Sequence, residues 1–533
     1  MENQRVSVLV VGAGYAGLSA ALLLAWRDVP VMLVERHPGT SYQPKAFGVN
    51  PRAVEMLRIV PGTEQALCEI SAGIGENLRI AVATSLNDPD PHMIMADEQE
   101  AFAFLADATP ARQVGAPQAA VERVLRAKAE ELGADLRFST EMVSLRQDDE
   151  GVTAIIRSGG EDSEVRADYV VSADGHHGPV RRSLGIPVTG KGVLGSTCSI
   201  MFDADLSGLV PEREVTLWYL RNDVFTGVIL TGTGVGAHIL GVNYDPSTGE
   251  SADDFTPERS IELIRIATGI ADLEVRLLDR AEFTMSHVLA ERYREGRVFL
   301  AGDSAHTMPP TGGQAGSTAL QDGCDLAWRL WLVLTGQAGE DFLDTYDAER
   351  RPVGVLTADA QLANLGVRMP PASRVGYPEP PADPMRAILG CRYHSTAIIE
   401  EPDDDGSLLE DPRQPTGRPG SRAPHVRLGQ DGRELSVIDL FGAGFVLLAA
   451  RRAGRAWAEA GRAVAERLGV LLSPILVDED LMDVKDGWSE RYGVHRDGAV
   501  LVRPDGYVAW RSQGPDATPD ATLERVLRRI LSR

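Results

Sequence analysis

The chain of 533 residues is longer than one hydrophobic core usually supports, so two or three domains are expected. Its 53 basic and 77 acidic residues leave a net charge of −24, which opposes binding to nucleic acid or an anionic membrane. Four widely separated cysteines with no C-x-x-C exclude a disulfide framework and a zinc ribbon. No apolar run approaches the roughly 20 residues that span a bilayer, and the chain opens on a strand rather than a leader. A soluble cytoplasmic protein without internal repeats is expected.

The first elements form one unit. Val6–Val11 is a β-branched and aliphatic run of the kind that forms a buried parallel strand. It leads into Gly12-Ala13-Gly14-Tyr15-Ala16-Gly17, a helix over Leu18–Trp26 and a second strand, Val31–Val34. Glu35 follows, 18 residues beyond Gly17. Strand, G-x-G-x-x-G turn, helix, strand and acid in this register make a dinucleotide-binding βαβ unit. The glycines allow a tight turn, close approach of a pyrophosphate and close helix packing, and the helix N-terminus offers free N–H groups. An acid in this position suits adenosine ribose hydroxyls and disfavours a 2′-phosphate, so FAD or NAD is expected here rather than NADP.

Beyond a loop through Ser41–Pro51, Asn50 reads as the N-cap of a short amphipathic helix with Pro51 at its first position. Residues 70–110 read only as strands and loop. Gln118–Leu132 is an amphipathic helix, followed by a short strand, a hairpin across Asp148–Gly151, and a strand over Val165–Ala173 ending at Asp174-Gly175. From about Ile186 to Phe283 the pattern turns to long strands (Glu214–Leu220, Phe225–Thr231, Ala237–Tyr244) with one helix capped by Thr256. This reads as a sheet domain forming one wall of a ligand pocket. Arg297–Ala301 returns to a buried strand and ends in Gly302-Asp303-Ser304-Ala305-His306. A loop with Pro309-Pro310 and Gly312-Gly313-Gln314-Ala315-Gly316-Ser317 then opens a helix, a second place for backbone N–H groups to meet a ligand. A helix through Phe342–Arg350 is expected to break or kink at Pro352. Glu400–Pro424 reads as a linker, and a smaller α/β pattern follows, with strand-like Ser436–Leu440 and Phe445–Leu448 and a last helix over Pro519–Leu531.

The G-x-G-x-x-G turn, Asp174-Gly175 with Arg181, and Gly302–His306 with its proline- and glycine-rich loop together resemble the class A FAD-dependent aromatic hydroxylases, which have the p-hydroxybenzoate hydroxylase fold. Phe202–Gly208 and the C-terminal region are most similar to the actinomycete aromatic polyketide hydroxylases. The resemblance implies an α/β fold in which a Rossmann-like FAD-binding domain (1–185 plus 284–400, part of 70–110 reaching into its neighbour) holds an inserted antiparallel-sheet substrate domain (186–283). A linker (401–424) would lead to a thioredoxin-like domain (425–533) without redox cysteines.

It also implies residue roles. Gly12, Gly14, Tyr15, Ala16, Gly17, Glu35 and Arg36 would hold the ADP half of FAD, with Lys45 near the pyrophosphate and Gln118 near the ribityl and phosphate groups. Gly302 and Asp303 would bind the ribityl chain. Pro310, Gly313, Gln314, Ala315, Gly316 and Ser317 would pack along the isoalloxazine. Asp174 and Arg181 belong to a motif linked to both FAD and NADPH. Tyr219 and Arg368 are catalytic and substrate candidates, and His287 and Pro309 would border the substrate; a core aromatic and a structural histidine are the competing readings of Tyr219 and His287. Three positions depart from the family: Lys45 replaces an arginine, Gly178 a serine and Ser317 an asparagine. The implied activity is hydroxylation of a polycyclic phenol through a flavin C4a-hydroperoxide, with NAD(P)H and O2 as co-substrates, in a monomer or a homodimer. Baeyer–Villiger oxidation of a polycyclic ketone and a non-catalytic flavin-binding scaffold are the alternatives.

Overall fold

The computed structural model describes residues 4–41, 46–71, 78–95, 99–210, 215–231, 237–369, 374–381, 383–450, 454–485, 487–495 and 497–533. Gln4–Val11 lies at the centre of a sheet, parallel to Glu161–Ser172 on one side and to Val31–Val34 on the other. Val298–Leu300 and Asp135–Arg137 extend it in parallel on either side. Val8, Leu9 and Val10 are fully buried, as strands covered on both faces must be. The helix Tyr15–Trp26 is apolar all round because it is covered twice, by this sheet and by the helix Ala315–Leu334. The two helices cross where a Cβ on Gly323 would lie 2.2 Å from the Ala16 carbonyl, and the Ser19 hydroxyl donates to the Leu320 carbonyl at 3.1 Å.

The second sheet also has eight strands, ordered Thr307-containing edge, Arg276–Ala290, Val188–Asp203, His238–Tyr244, Thr226–Thr231, Val215–Arg221, Leu78–Ala83 and His92–Met95. Arg276–Ala290 runs past residue 283 and pairs with Val188–Asp203 as one long, bulged antiparallel pair. One face of this sheet is a closed core: Ala81, Trp218, Leu220, Ile229 and Leu240 pack against Leu263 and Ile264 of the helix Pro257–Thr268. Thr256 caps that helix as its sequence predicts. The alternating residues Val82, Leu217, Tyr219, Val228, Leu230 and Ile239 face the other way and are only half-buried.

Two expectations are corrected. The helix Asp344–Arg368 continues through Pro352 rather than ending there. Arg350 and Glu349, just before the proline, are anchored in buried ion pairs, and the tertiary contacts outweigh the lost hydrogen bond. Ser436–Leu440 is not a strand beyond its first residue: Val437–Leu440 forms a 3-10 turn. The Ser436 hydroxyl accepts the Ile438 N–H at 3.0 Å and Asp439 accepts the Ser436 N–H at 2.8 Å, a local capping box that competes with a ladder. The region 70–110 adds a helix, Gln99–Ala108, that the sequence pattern did not show.

The C-terminal region holds, among the described residues, a small three-stranded sheet (Arg427–Gln430, Arg433–Ser436, Met482–Asp483) and a four-stranded one. Phe445–Ala450 and Leu472–Val477 are parallel and joined by the helix Gly454–Leu468, and Ala499–Val502 with Val508–Ser512 continues the sheet as an antiparallel hairpin. Its apolar side merges with the nucleotide-domain core, so Leu22, Trp331, Leu447 and Val526 belong to one cluster. Residues 401–424 are tied at both ends, Glu401 to Arg511 at 2.7 Å and Arg422 to Glu55.

Fully buried charges cross the seam between these regions. Glu55 pairs with Arg52 at 3.0 Å and with Arg422, while Arg52 donates to the Asp505 carbonyl at 2.7 Å. Burial alone would push the Glu55 carboxyl up, but Arg422, Arg52 and the Thr109 hydroxyl outweigh it and hold it at about 2. Its contribution is therefore present above the unfolded value near 4.3 and is lost as pH falls toward 2. Glu55→Ala strands two buried guanidinium groups and should cost about 3–5 kcal/mol in denaturant unfolding. Glu55→Gln should show a shallower loss of stability than the wild type between roughly pH 5 and pH 2.

Candidate functional site

The nucleotide turn is shaped by what its glycines exclude. Gly12 has φ +105°, and a Cβ there would lie 2.2 Å from the Ala173 carbonyl oxygen. A Cβ on Gly17 would lie 1.9 Å from the Gly12 carbonyl oxygen. These two glycines serve the protein itself. Gly14 differs: a Cβ there meets no protein atom within 4 Å, so the space beside it is open to a ligand. Glu35, with 13% of its side chain exposed, accepts the Ala13 N–H at 2.8 Å and the His37 N–H at 2.9 Å. His37 Nδ1 also lies 2.5 Å from Glu35 Oε1, and the neighbouring Arg36 is exposed. Tyr15 and Ala16 are buried in the first helical turn, and the Tyr15 ring lies where a Cβ on Gly316 would approach it to 2.8 Å. Tyr15 thus spaces the nucleotide turn from the second glycine-rich loop, a contact with no sequence signal.

The second loop lies beside the first. Gly302 donates its N–H to Asp322 at 3.0 Å, and Asp303 is exposed on the same 3-10 turn. Asp322 is fully buried and also meets His306 Nε2 at 2.7 Å and Arg350 Nε at 2.9 Å. Burial would raise its carboxyl, but Arg350, His306 and the Gly302 N–H together hold it below the usual range. His306 is accordingly a brace for the loop. Asp322 and Arg350 were missed from sequence; two acids, Asp322 and Asp325, inside a largely apolar helix were the available signal.

Pro309 is buried, Pro310 and Gly313 are exposed, and Ala315 and Gly316 are half-buried. Gln314 accepts from the Asn50 side chain at 2.8 Å, and the Ser317 hydroxyl accepts the Asn50 N–H at 2.9 Å. Serine at 317 therefore closes a contact to the Asn50 cap. The Gln118 side chain donates to Glu122 at 2.6 Å, and its backbone N–H donates to the Ala46 carbonyl at 2.9 Å. Asp174 accepts the Ser172 hydroxyl at 2.8 Å and the Val180 N–H at 2.9 Å, and burial raises its carboxyl. Arg181 packs over Gly178, whose φ of +47° suits glycine better than serine. Lys45 lies outside the described residues.

On the half-buried face of the second sheet, the Arg368 guanidinium sits over the Tyr219 ring, 5.0 Å from its centroid. The two candidates, far apart in sequence, are brought together by the end of the long helix and the strand Val215–Arg221. Burial raises the Tyr219 phenol, and the charge and hydrogen bond of Arg368 pull against it. His287 is buried; its Nδ1 accepts the Lys191 N–H at 3.2 Å, and its Nε2 lies 3.2 Å from Asp359. Both ring nitrogens thus face protein groups.

Comparison with known proteins agrees with this geometry. Residues 5–361 match the FAD binding domain family, and residues 416–533 match the aromatic-ring hydroxylase C-terminal family. The chain belongs to the FAD-dependent aromatic-ring hydroxylases. Aklavinone 12-hydroxylase RdmE of Streptomyces purpurascens is 42% identical over 523 residues, 96% of each chain. A 4-methyl-5-nitrocatechol 5-monooxygenase of Burkholderia sp is 40% identical, covering 95% of this chain and 94% of that one. The crystal structure of aklavinone-11 hydroxylase with FAD and aklavinone superposes with a TM-score of 0.94 at 41% identity, over the whole of both chains.

The open space at Gly14 makes a direct prediction. Gly14→Val should melt within about 0.5 kcal/mol of the wild-type apoprotein yet fail to retain FAD. Gly17→Val, driven into the Gly12 carbonyl, should lose folded protein itself. Thermal melts of apoprotein with flavin titration by fluorescence separate the two.

Proposed function

We propose that the protein hydroxylates an electron-rich ring of a polycyclic, polyketide-type phenol, using NAD(P)H and O2. The observation that carries this reading is the Arg368 guanidinium over Tyr219, on an apolar half-buried wall beside the flavin loop. The residues present suit FAD: an open approach at Gly14, an acid at Glu35, and an exposed carboxylate, Asp303, on a turn braced from behind. Bound FAD supplies electron transfer from NAD(P)H and activation of O2.

The rest of the work falls to the chain. Gly12, Gly14, Gly17, Glu35 and Arg36 hold the ADP half, with Tyr15 and Ala16 opening the helix under the phosphates. Asp303 accepts the ribityl hydroxyls next to Gly302, and Gln118 lies at the same edge. Gly316 and Ser317 offer N–H groups to the ring system, along a loop running from Pro310 through Gly313, Gln314 and Ala315. Asp174 and Arg181 flank the approach of NAD(P)H. Arg368 favours the phenolate over the phenol, which enriches the ring for attack, and Tyr219 orients it. Val82, Val228 and Leu230 exclude water from that face. Pro309 and His287 shape the edge of the pocket. Among the described residues no helix is long and apolar enough to cross a membrane, which supports a cytoplasmic setting.

The test is the absorbance spectrum of the purified protein, followed by NADH and NADPH oxidation with and without aklavinone. Flavin bands, stimulated oxidation and a product heavier by one oxygen atom are expected; a protein that cannot be loaded with FAD overturns the reading. Asp303→Ala should purify largely without flavin, because the ribityl hydroxyls lose their acceptor. Arg368→Met should lower turnover about tenfold or more at neutral pH and shift the activity profile to higher pH, since the substrate must then ionise without a cation beside it.

A further inference from the structure

Beyond Arg368, the long helix Asp344–Arg368 carries two further polar side chains at helical spacing. Gln361, Asn364 and Arg368 follow one another at spacings of three and four residues and therefore share one helix face. At the near end of this row, Gln361 is 3% exposed, yet its carboxamide oxygen is buried with no hydrogen-bond partner. At the far end, Nε of Arg368 is also buried without a partner. A buried acceptor and a buried donor left open are costly unless a ligand completes them.

Other side chains among the described residues have unpartnered buried atoms, such as the indole nitrogens of Trp328 and Trp488, but those rings sit inside hydrophobic clusters. The Gln361 carboxamide instead borders the flavin loop. A Cβ added to Gly312 would lie 2.6 Å from its oxygen and 3.0 Å from the Asn364 amide nitrogen. The Thr311 hydroxyl donates to the Gln361 backbone carbonyl at 2.6 Å and fixes the loop against this turn of the helix. The row therefore starts at the flavin loop and ends over Tyr219, two helical turns or about 10.5 Å along the axis.

We propose that Gln361 is a specificity-determining residue whose carboxamide oxygen accepts a hydrogen bond from a second ring hydroxyl of the substrate, while Arg368 holds the oxygen at the far end. This rests on the proposed hydroxylase reading and narrows its substrate class: a planar polycycle oxygenated at two well-separated positions along one edge. Asn364, between them, offers its amide N–H groups to a ring carbonyl. A site built to pair with a hydroxyl rejects the analogue that lacks it, because the acceptor is then left buried and open.

The test compares 2,6-dihydroxyanthraquinone with 2-hydroxyanthraquinone, titrated against the FAD-loaded full-length protein and read by perturbation of the flavin absorbance. Wild type should bind the diol about tenfold more tightly than the mono-ol. Gln361→Met should hold the two alike, and Gln361→Glu, which keeps an acceptor oxygen, should restore the preference. Flavin content and melting temperature, measured on each variant, should match wild type. A wild type that treats the probes alike, a Gln361→Met variant that keeps the preference, or one that loses FAD before any probe is added overturns the proposal. Oxygen insertion is followed in the same wild-type samples. Its absence counts against the proposed function whatever the binding shows, and its presence with an unaltered Gln361→Met preference overturns this inference alone.

Discussion

The structure depends on a pair of adjacent charges, Glu349 and Arg350, buried in the long helix Asp344–Arg368. Successive residues on a helix point about 100° apart, so the two side chains serve different neighbours. Arg350 reaches Asp322, which holds the Gly302 turn and His306. Glu349 pairs with Arg503 at 2.7 Å and with Arg329, which binds Asp325 in turn. Arg503 belongs to the hairpin of the C-terminal region and also binds Asp505 there. Burial opposes the Glu349 charge, but Arg329 and Arg503 overcome it and hold its carboxyl below the usual range. Such pairs add little net stability over apolar packing, but a misplaced partner would leave a bare charge inside the protein. They therefore define how the helices, the Gly302 turn and the C-terminal region fit together.

This arrangement ties the C-terminal region to the nucleotide domain. The region has no paired cysteines, and its core is continuous with that of the nucleotide domain. The Tyr507 ring stacks on Tyr393 at 3.9 Å, and the Tyr393 hydroxyl accepts from Arg350 at 2.9 Å. The hairpin thus ends one contact away from the residue that pins Asp322. Asp325, Glu349 and Asp505 converge closely enough to suggest a cation, but Arg329 and Arg503 already neutralise them.

The pocket side of the molecule is built on the opposite logic, from atoms left open rather than satisfied. The second sheet seals one face against the helix Pro257–Thr268 and leaves the other as a half-buried apolar wall. Glycine keeps that wall low: a Cβ on Gly241 would press to 3.1 Å from Val228 and 3.2 Å from Thr197. A flat aromatic molecule fits such a surface, and the polar groups at its rim lie where the flavin loop and the long helix meet.

The nucleotide unit was legible in the amino-acid order because it is local. A strand, a glycine turn, a helix and an acid lie within 36 residues, and Gly12 and Gly17 each answer a backbone contact of the protein. The Asn50 and Thr256 caps were legible for the same reason. The family was legible because its motifs carry short, rigid backbone requirements. Three features were not local and stayed hidden. Pro352 read as a break or a kink, yet ion pairs just before it, to partners distant in sequence, accompany a helix that continues to Arg368. Asp322 looked like one of two acids in a largely apolar helix until the fold set Gly302, His306 and Arg350 around it. The row from Gln361 to Arg368 is plain helix spacing in the sequence; only tertiary packing placed it between the flavin loop and Tyr219. Local backbone geometry is written in neighbouring residues, whereas the pairing of buried charges and the facing of open polar atoms depend on which distant segments the core brings together.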